Sequence, residues 1–142
     1  MELTGLGGSL AINAYRTLKR LILHIFVLGD DYDPLCGLSR ELGFIAGNNI
    51  LEELVLYVEL SDASSQTESE DWSAFDSVLT KSDAFPILHR VSVEILWHSV
   101  GRDQVDQVDM LASFDKEKLS RLVESKAVEL NFYFRIRSHN MW

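Results

Sequence analysis

Cysteine is nearly absent from this chain: Cys36 stands alone, so no intrachain disulfide can form, which fits a reducing compartment and makes a cytoplasmic location the expectation. Basic charge is also in deficit. Lys and Arg total 13 against 22 Asp and Glu, a formal charge of −9, and such a balance repels a phosphate backbone; no nucleic-acid partner is expected. Long apolar runs are missing as well. The stretches around Leu21 to Leu28 and Leu54 to Leu60 fall far short of the roughly 20 residues that cross a bilayer, so no membrane span is expected. No basic n-region precedes an apolar h-region in Met1-Glu2-Leu3-Thr4-Gly5, so no classical secretory signal is expected, although a processed mature chain would look the same. Proline occurs only at Pro34 and Pro86, and both read as punctuation.

With 142 residues, 46% of them hydrophobic, the chain can bury a core as one domain, 1–142. Its main signal is a repeat. Leu18-Lys19-Arg20-Leu21-Ile22-Leu23-His24-Ile25, Leu51-Glu52-Glu53-Leu54-Val55-Leu56-Tyr57-Val58 and Leu88-His89-Arg90-Val91-Ser92-Val93-Glu94-Ile95 align as L-x-x-L/V-x-L/V-x-I/V. This is the strand signature of a leucine-rich repeat. The units start near 18, 51 and 88, steps of 33 and 37, and a further step of 37 places a fourth at 125, where Ser125 takes the place of the first leucine.

Within each unit the apolar positions alternate. Leu21, Leu23 and Ile25 face a core, and Ile22, His24 and Phe26 face away from it. Helical spacing follows each strand: Leu35, Leu38, Leu42 and Ile45; then Trp72, Phe75 and Val78 or Leu79; then Val108, Leu111 and Phe114. Asp33-Pro34 reads as a helix start and Gly47-Asn48-Asn49 as a stop. Pro86 precedes the third strand, and Leu3, Leu6, Leu10 and Tyr15 suggest the end of an earlier helix. Alternating strand and helix implies parallel strands joined by right-handed crossovers. The expected fold is therefore α/β, a short leucine-rich-repeat-like solenoid of about four parallel strands with helices on one face. A compact βαβ sandwich with an antiparallel last strand is the competing arrangement.

The run Asp30-Asp31-Tyr32-Asp33-Pro34-Leu35-Cys36-Gly37-Leu38-Ser39-Arg40-Glu41-Leu42, with Glu68-Ser69-Glu70-Asp71-Trp72 and Leu122-Val123-Glu124-Ser125-Lys126, resembles the C-terminal leucine-rich region of mushroom F-box-like proteins. The likeness extends over most of the chain from about Tyr15. It implies an adaptor surface that recognises a protein substrate, and no catalytic residue. No F-box is recognisable before Leu18.

If the steps of 33, 37 and 37 hold, outward side chains stand in rows about 4.8 Å apart. The rows are Ile22, Val55, Ser92, Glu129; His24, Tyr57, Glu94, Asn131; and Phe26, Glu59, Leu96, Tyr133. The candidate binding residues are His24, Phe26, Tyr57, Glu59, Glu94, Leu96, Asn131 and Tyr133, a mixture of imidazole, phenol, carboxylate and amide suited to a peptide or small polar ligand. His24 and Glu94 would be about 9.6 Å apart with Tyr57 between them, too far for an acid–base pair. No enzyme is expected. The alternative is a small fungal defence protein that binds glycans, or a hydrolase, through the His24, Tyr57 and Glu94 face.

Other clusters read as structural. Asp30, Asp31, Asp33, Asp62, Glu68, Glu70, Asp71 and Asp103 lie in loops at one edge of the sheet, where carboxylates cap helix N-termini; the pattern lacks the glycine and distant glutamate of an EF-hand. Cys36 falls in the first turn of its helix, a place that favours a thiolate, but beside Leu35 and Leu38 it reads as buried. His89, His98 and His139 have no metal-ligand spacing with one another or with Cys36. Gly5-Leu6-Gly7-Gly8-Ser9 lacks the Gly-Lys-Ser/Thr of a phosphate loop. No metal and no cofactor are expected. The long aromatic strand near 128–136, with Phe132, Tyr133 and Phe134, looks like an open edge, and a homodimer through it is the expectation.

Overall fold

A computed structural model describes residues 5, 8, 17–27, 35, 37–60, 70–99 and 112–138. Leu3, Leu6, Leu10, Tyr15, the Asp33-Pro34 helix start, Cys36, Val108, Leu111, His139 and the acids Asp30, Asp31, Asp33, Asp62, Glu68 and Asp103 lie outside the described residues.

Among the described residues strands and helices alternate, with two short helices in the last connection: β1 (Arg20–Val27), α1 (Leu38–Ile45), β2 (Glu53–Leu60), α2 (Asp71–Thr80), β3 (Arg90–Ser99), α3 (Phe114–Lys118), α4 (Ser120–Glu124) and β4 (Glu129–Ser138). The four strands form one sheet in the order β1-β2-β3-β4, and every neighbouring pair is parallel. An antiparallel last strand is thereby excluded.

Period-two alternation sets which side of the sheet is buried. Leu54, Leu56, Val91, Val93 and Ile95 are fully enclosed, each burial contributing roughly 1.5–3 kcal/mol. They share one continuous core with Leu38, Leu42 and Ile45 of α1, Trp72, Phe75 and Leu79 of α2, Phe114 of α3 and Leu122 of α4. The helical stripes read from the sequence are thus the core faces of α1 and α2. Trp72 meets Phe114 edge-on at 4.9 Å, and Phe114 stacks on Phe132 of β4 at 5.5 Å, so the aromatic rings carry the core out to the last strand. Among the described residues of the third connection, α3 buries Phe114, α4 buries Leu122, and Leu119 is buried between them; Val108 and Leu111 of the expected stripe lie outside the described residues.

Turn chemistry joins successive units. Gly47, at φ 81° just beyond α1, occupies a left-handed position that glycine tolerates without strain. The Asn49 side-chain amide donates to the carbonyls of Ile45 at 2.8 Å and Ala84 at 2.9 Å, and its Oδ1 accepts from Leu51 N–H. One side chain therefore clasps the turn after α1 to the turn after α2.

The register confirms two steps and corrects the third. Arg20 pairs with Glu53 and Glu53 with Arg90, as steps of 33 and 37 require. Arg90 pairs with Glu129, a step of 39. The fourth unit therefore begins at Ala127, two residues later than 125, and Leu130, Phe132 and Phe134 take the inward positions opposite Val91, Val93 and Ile95. A slip of two keeps every side chain on its face and moves it one row along.

Candidate functional site on the outward sheet face

Helices cover one side of the sheet, and the outward side chains of the other side form a grid. The rows are Arg20, Glu53, Arg90, Glu129; Ile22, Val55, Ser92, Asn131; His24, Tyr57, Glu94, Tyr133; and Phe26, Glu59, Leu96, Arg135. Neighbours within a row are about 4.8 Å apart and rows follow every ~6.6 Å. All three β4 positions in the expected rows change row: Glu129 stands beside Arg90 rather than Ser92, Asn131 beside Ser92 rather than Glu94, and Tyr133 beside Glu94 rather than Leu96.

The first row alternates in charge. Arg20 Nε lies 3.4 Å from Glu53 Oε2, and Arg90 Nε lies 3.7 Å from Glu129 Oε2. Arg20, Arg90 and Glu129 are exposed and Glu53 is partly so, and pairs open to solvent in this way fix register and local polarity more than they add stability. Arg135 Nη2 approaches Glu94 Oε1 at 2.8 Å, a diagonal link between the third and fourth rows.

A shallow depression of about 170 Å³ opens in the middle of this face, lined by Arg20, Glu53, Val55, Tyr57, Ser92, Val93, Glu94 and Tyr133. Its cause is side-chain length. Val55 and Ser92 are short and adjacent, and the longer Tyr57, Glu94 and Tyr133 of the next row and Arg20 and Glu53 of the previous one stand around them. Tyr57 and Tyr133 remain exposed, so the dip offers two aromatic rings, a hydroxyl and carboxylates already matched by arginines. That set suits a neutral polar chain or ring that stacks and hydrogen-bonds.

A second cluster lies toward the C-terminal ends of the strands. Glu59 stands between two imidazoles, with His24 Nε2 3.4 Å from Oε2 and His98 Nε2 3.6 Å from Oε1. His24 leans on the ring of Tyr57 at 6.1 Å and His98 on Phe26 at 6.3 Å. His24 is thus directed to Glu59, while Tyr57 separates it from Glu94. Leu96 is half-buried within the same row as Glu59.

Tyr57, Glu94 and Tyr133 of the expected site line the depression, and His24, Phe26 and Glu59 gather at the second cluster with His98. Asn131 adjoins the depression through Ser92. Arg20, Glu53 and Arg135 were not among the expected site residues. For Arg20 and Glu53 the signal lay in the sequence, because the order Arg20, Glu53, Arg90, Glu129 alternates in charge only when the last step is 39.

Among the described residues no group of three or more His, Cys, Asp or Glu is arranged to hold a metal ion, and no helix is long and apolar enough to cross a membrane. Comparison of the chain with protein-family models, curated proteins and solved structures finds no match.

Proposed function

We propose that the chain is a non-catalytic protein-interaction module of leucine-rich-repeat type, which recognises its partner on the outward sheet face. The observation that carries this reading is the exposure of Ile22, Phe26, Tyr57 and Tyr133 on a face whose charges are already paired with one another. Exposed aromatic rings among neutralised charges supply contact area with little desolvation of unpaired ions. Sequential parallel strands with their helices packed on one side support the solenoid reading, since each stacked unit covers its neighbour and leaves a binding face free. The resemblance to the substrate-recognition region of F-box-like adaptors agrees with a protein partner.

The test compares proteins captured from mushroom extract by the unmodified chain and by a Tyr57→Ser, Glu94→Arg variant that retains its melting temperature. A partner released by the variant supports the proposal, and identical capture by both refutes it.

A second reading has its own observation. The depression is small, polar and walled by Tyr57 and Tyr133, a setting in which a sugar ring would stack. Glycan-array binding lost in the same variant would favour this reading, and substrate turnover abolished by His24→Ala or Glu94→Ala would replace both with a hydrolase.

A further inference from the structure

The free side of β4 carries the complement of its own sequence. Among the described residues β4 is the longest strand together with β3, and it ends the sheet, with β3 on one side only. Its inward residues Phe132, Phe134 and Ile136 are half-buried, whereas Val91, Val93 and Ile95 on β3 are fully enclosed. Glu129 N–H donates to His89 C=O at 2.9 Å. By strand alternation, residues 129, 131, 133 and 135 turn their backbone groups toward β3, and Leu130, Phe132, Phe134 and Ile136 turn theirs to the free edge.

We infer that β4 pairs antiparallel with β4 of a second copy, in a two-fold register centred on Tyr133. In that register Phe132 faces the partner's Phe134 and Leu130 faces the partner's Ile136, the residues whose N–H and C=O groups are turned outward. Glu129 then meets the partner's Arg137. Tyr133 meets itself at a non-hydrogen-bonded position, where Cα atoms approach to about 4.5 Å.

Neighbouring registers fit less well. Shifts by one residue set inward side chains against outward ones. Centring on Phe132 shortens the paired strand and sets Glu129 against Arg135, which is already engaged by Glu94 at 2.8 Å. Centring on Phe134 sets both arginines against uncharged residues. The Tyr133-centred register alone uses the exposed Arg137 and leaves the Glu94–Arg135 pair intact. The two sheets become one, with both outward faces on the same side, so the dimer presents two copies of the face assigned to partner binding.

The register is tested by oxidative cross-linking of the full chain in a Cys36→Ser background. Tyr133→Cys is expected to link with itself. Asn131→Cys and Arg135→Cys, directly opposed in this register, are expected to link when mixed and not when alone. Arg137→Glu should weaken dimerisation by about tenfold through a like-charge pair with Glu129, and adding Glu129→Arg should restore it. A concentration-independent monomer in light scattering of the unmodified chain overturns the inference. So does self-linking at 131 or 135, or a dimer in which Tyr133→Cys does not link.

Discussion

Asp76 is a carboxylate almost without solvent, 3% exposed, on a helix that does not use it. It caps another helix. Its Oδ1 accepts from Leu122 N–H at 2.8 Å and its Oδ2 from Arg121 N–H at 3.0 Å, the orphan donors at the start of α4, whose own N-cap is Leu119 with no side-chain acceptor. Burial raises its pKa above the ordinary value of 3.8, against the lowering effect of those two backbone bonds and of Arg121. Asp76→Asn keeps one acceptor and loses the other, and should cost about 1–3 kcal/mol in urea unfolding. The pH dependence follows from the sign of the shift. The folded state holds this proton more tightly than the unfolded chain does, so the contribution of Asp76 is largest below 3.8 and is lost as pH rises through the raised folded value. Stability of the unmodified chain relative to Asp76→Asn should therefore increase as pH falls across that window; a pH-independent difference would contradict the assignment. Nothing in the sequence marked Asp76, because a cap supplied from a different helix leaves no local pattern.

At the scale of elements, leucine spacing was sufficient for β1, β2 and β3 because each carries an aliphatic residue at all four alignment positions, and the strand pairing follows those positions. The fourth unit lacks that signal. Ala127 replaces the leading leucine and Phe132 and Phe134 replace aliphatic residues, so Val128 drew the alignment two residues early. Charge alternation along Arg20, Glu53, Arg90 and Glu129 would have selected the observed register. Helix positions were legible where an apolar stripe was complete, as in Leu35, Leu38, Leu42 and Ile45, all buried. The site was legible in kind, as outward rows, but the depression depends on short side chains beside long ones and on the corrected row of Tyr133. The Asn49 clasp is the element-scale feature with the clearest consequence. Asn49→Ala removes the partner of Leu51 N–H and two donors to the carbonyls of Ile45 and Ala84, all partly buried. A loss of about 2 kcal/mol or more is expected in chemical denaturation. Asn49→Asp, which keeps the acceptor but removes both donors, should rescue only part of it; full rescue would mean that the two carbonyl bonds contribute nothing.

For the whole molecule, the decisive feature is that one core cluster runs from Leu21 on β1 to Val128 before β4 and includes side chains from each of the described helices α1 to α4. Repeat arrays separate into independently unfolding parts only when the coupling between neighbouring units is weak relative to their own stability. Here neighbouring units share parallel backbone pairing along whole strands, the Asn49 clasp, the Asp76 cap and the Trp72–Phe114–Phe132 contacts. No unit retains its inward residues buried when its neighbour leaves. Denaturation at a fixed protein concentration should therefore be a single transition, with tryptophan fluorescence and far-UV circular dichroism sharing one midpoint. Leu56→Ala, at a fully enclosed position on the central strand β2, should lower stability by about 2–5 kcal/mol and move both signals together. The opposite outcome has a specific location. Trp97 lies outside the main core and packs with Phe134 and Ile136 at the end of β3 and β4, whereas Trp72 lies within it; in a Trp72→Phe, Trp142→Phe background, a fluorescence transition that precedes the loss of circular dichroism would show that the β4 end unfolds as a separate unit.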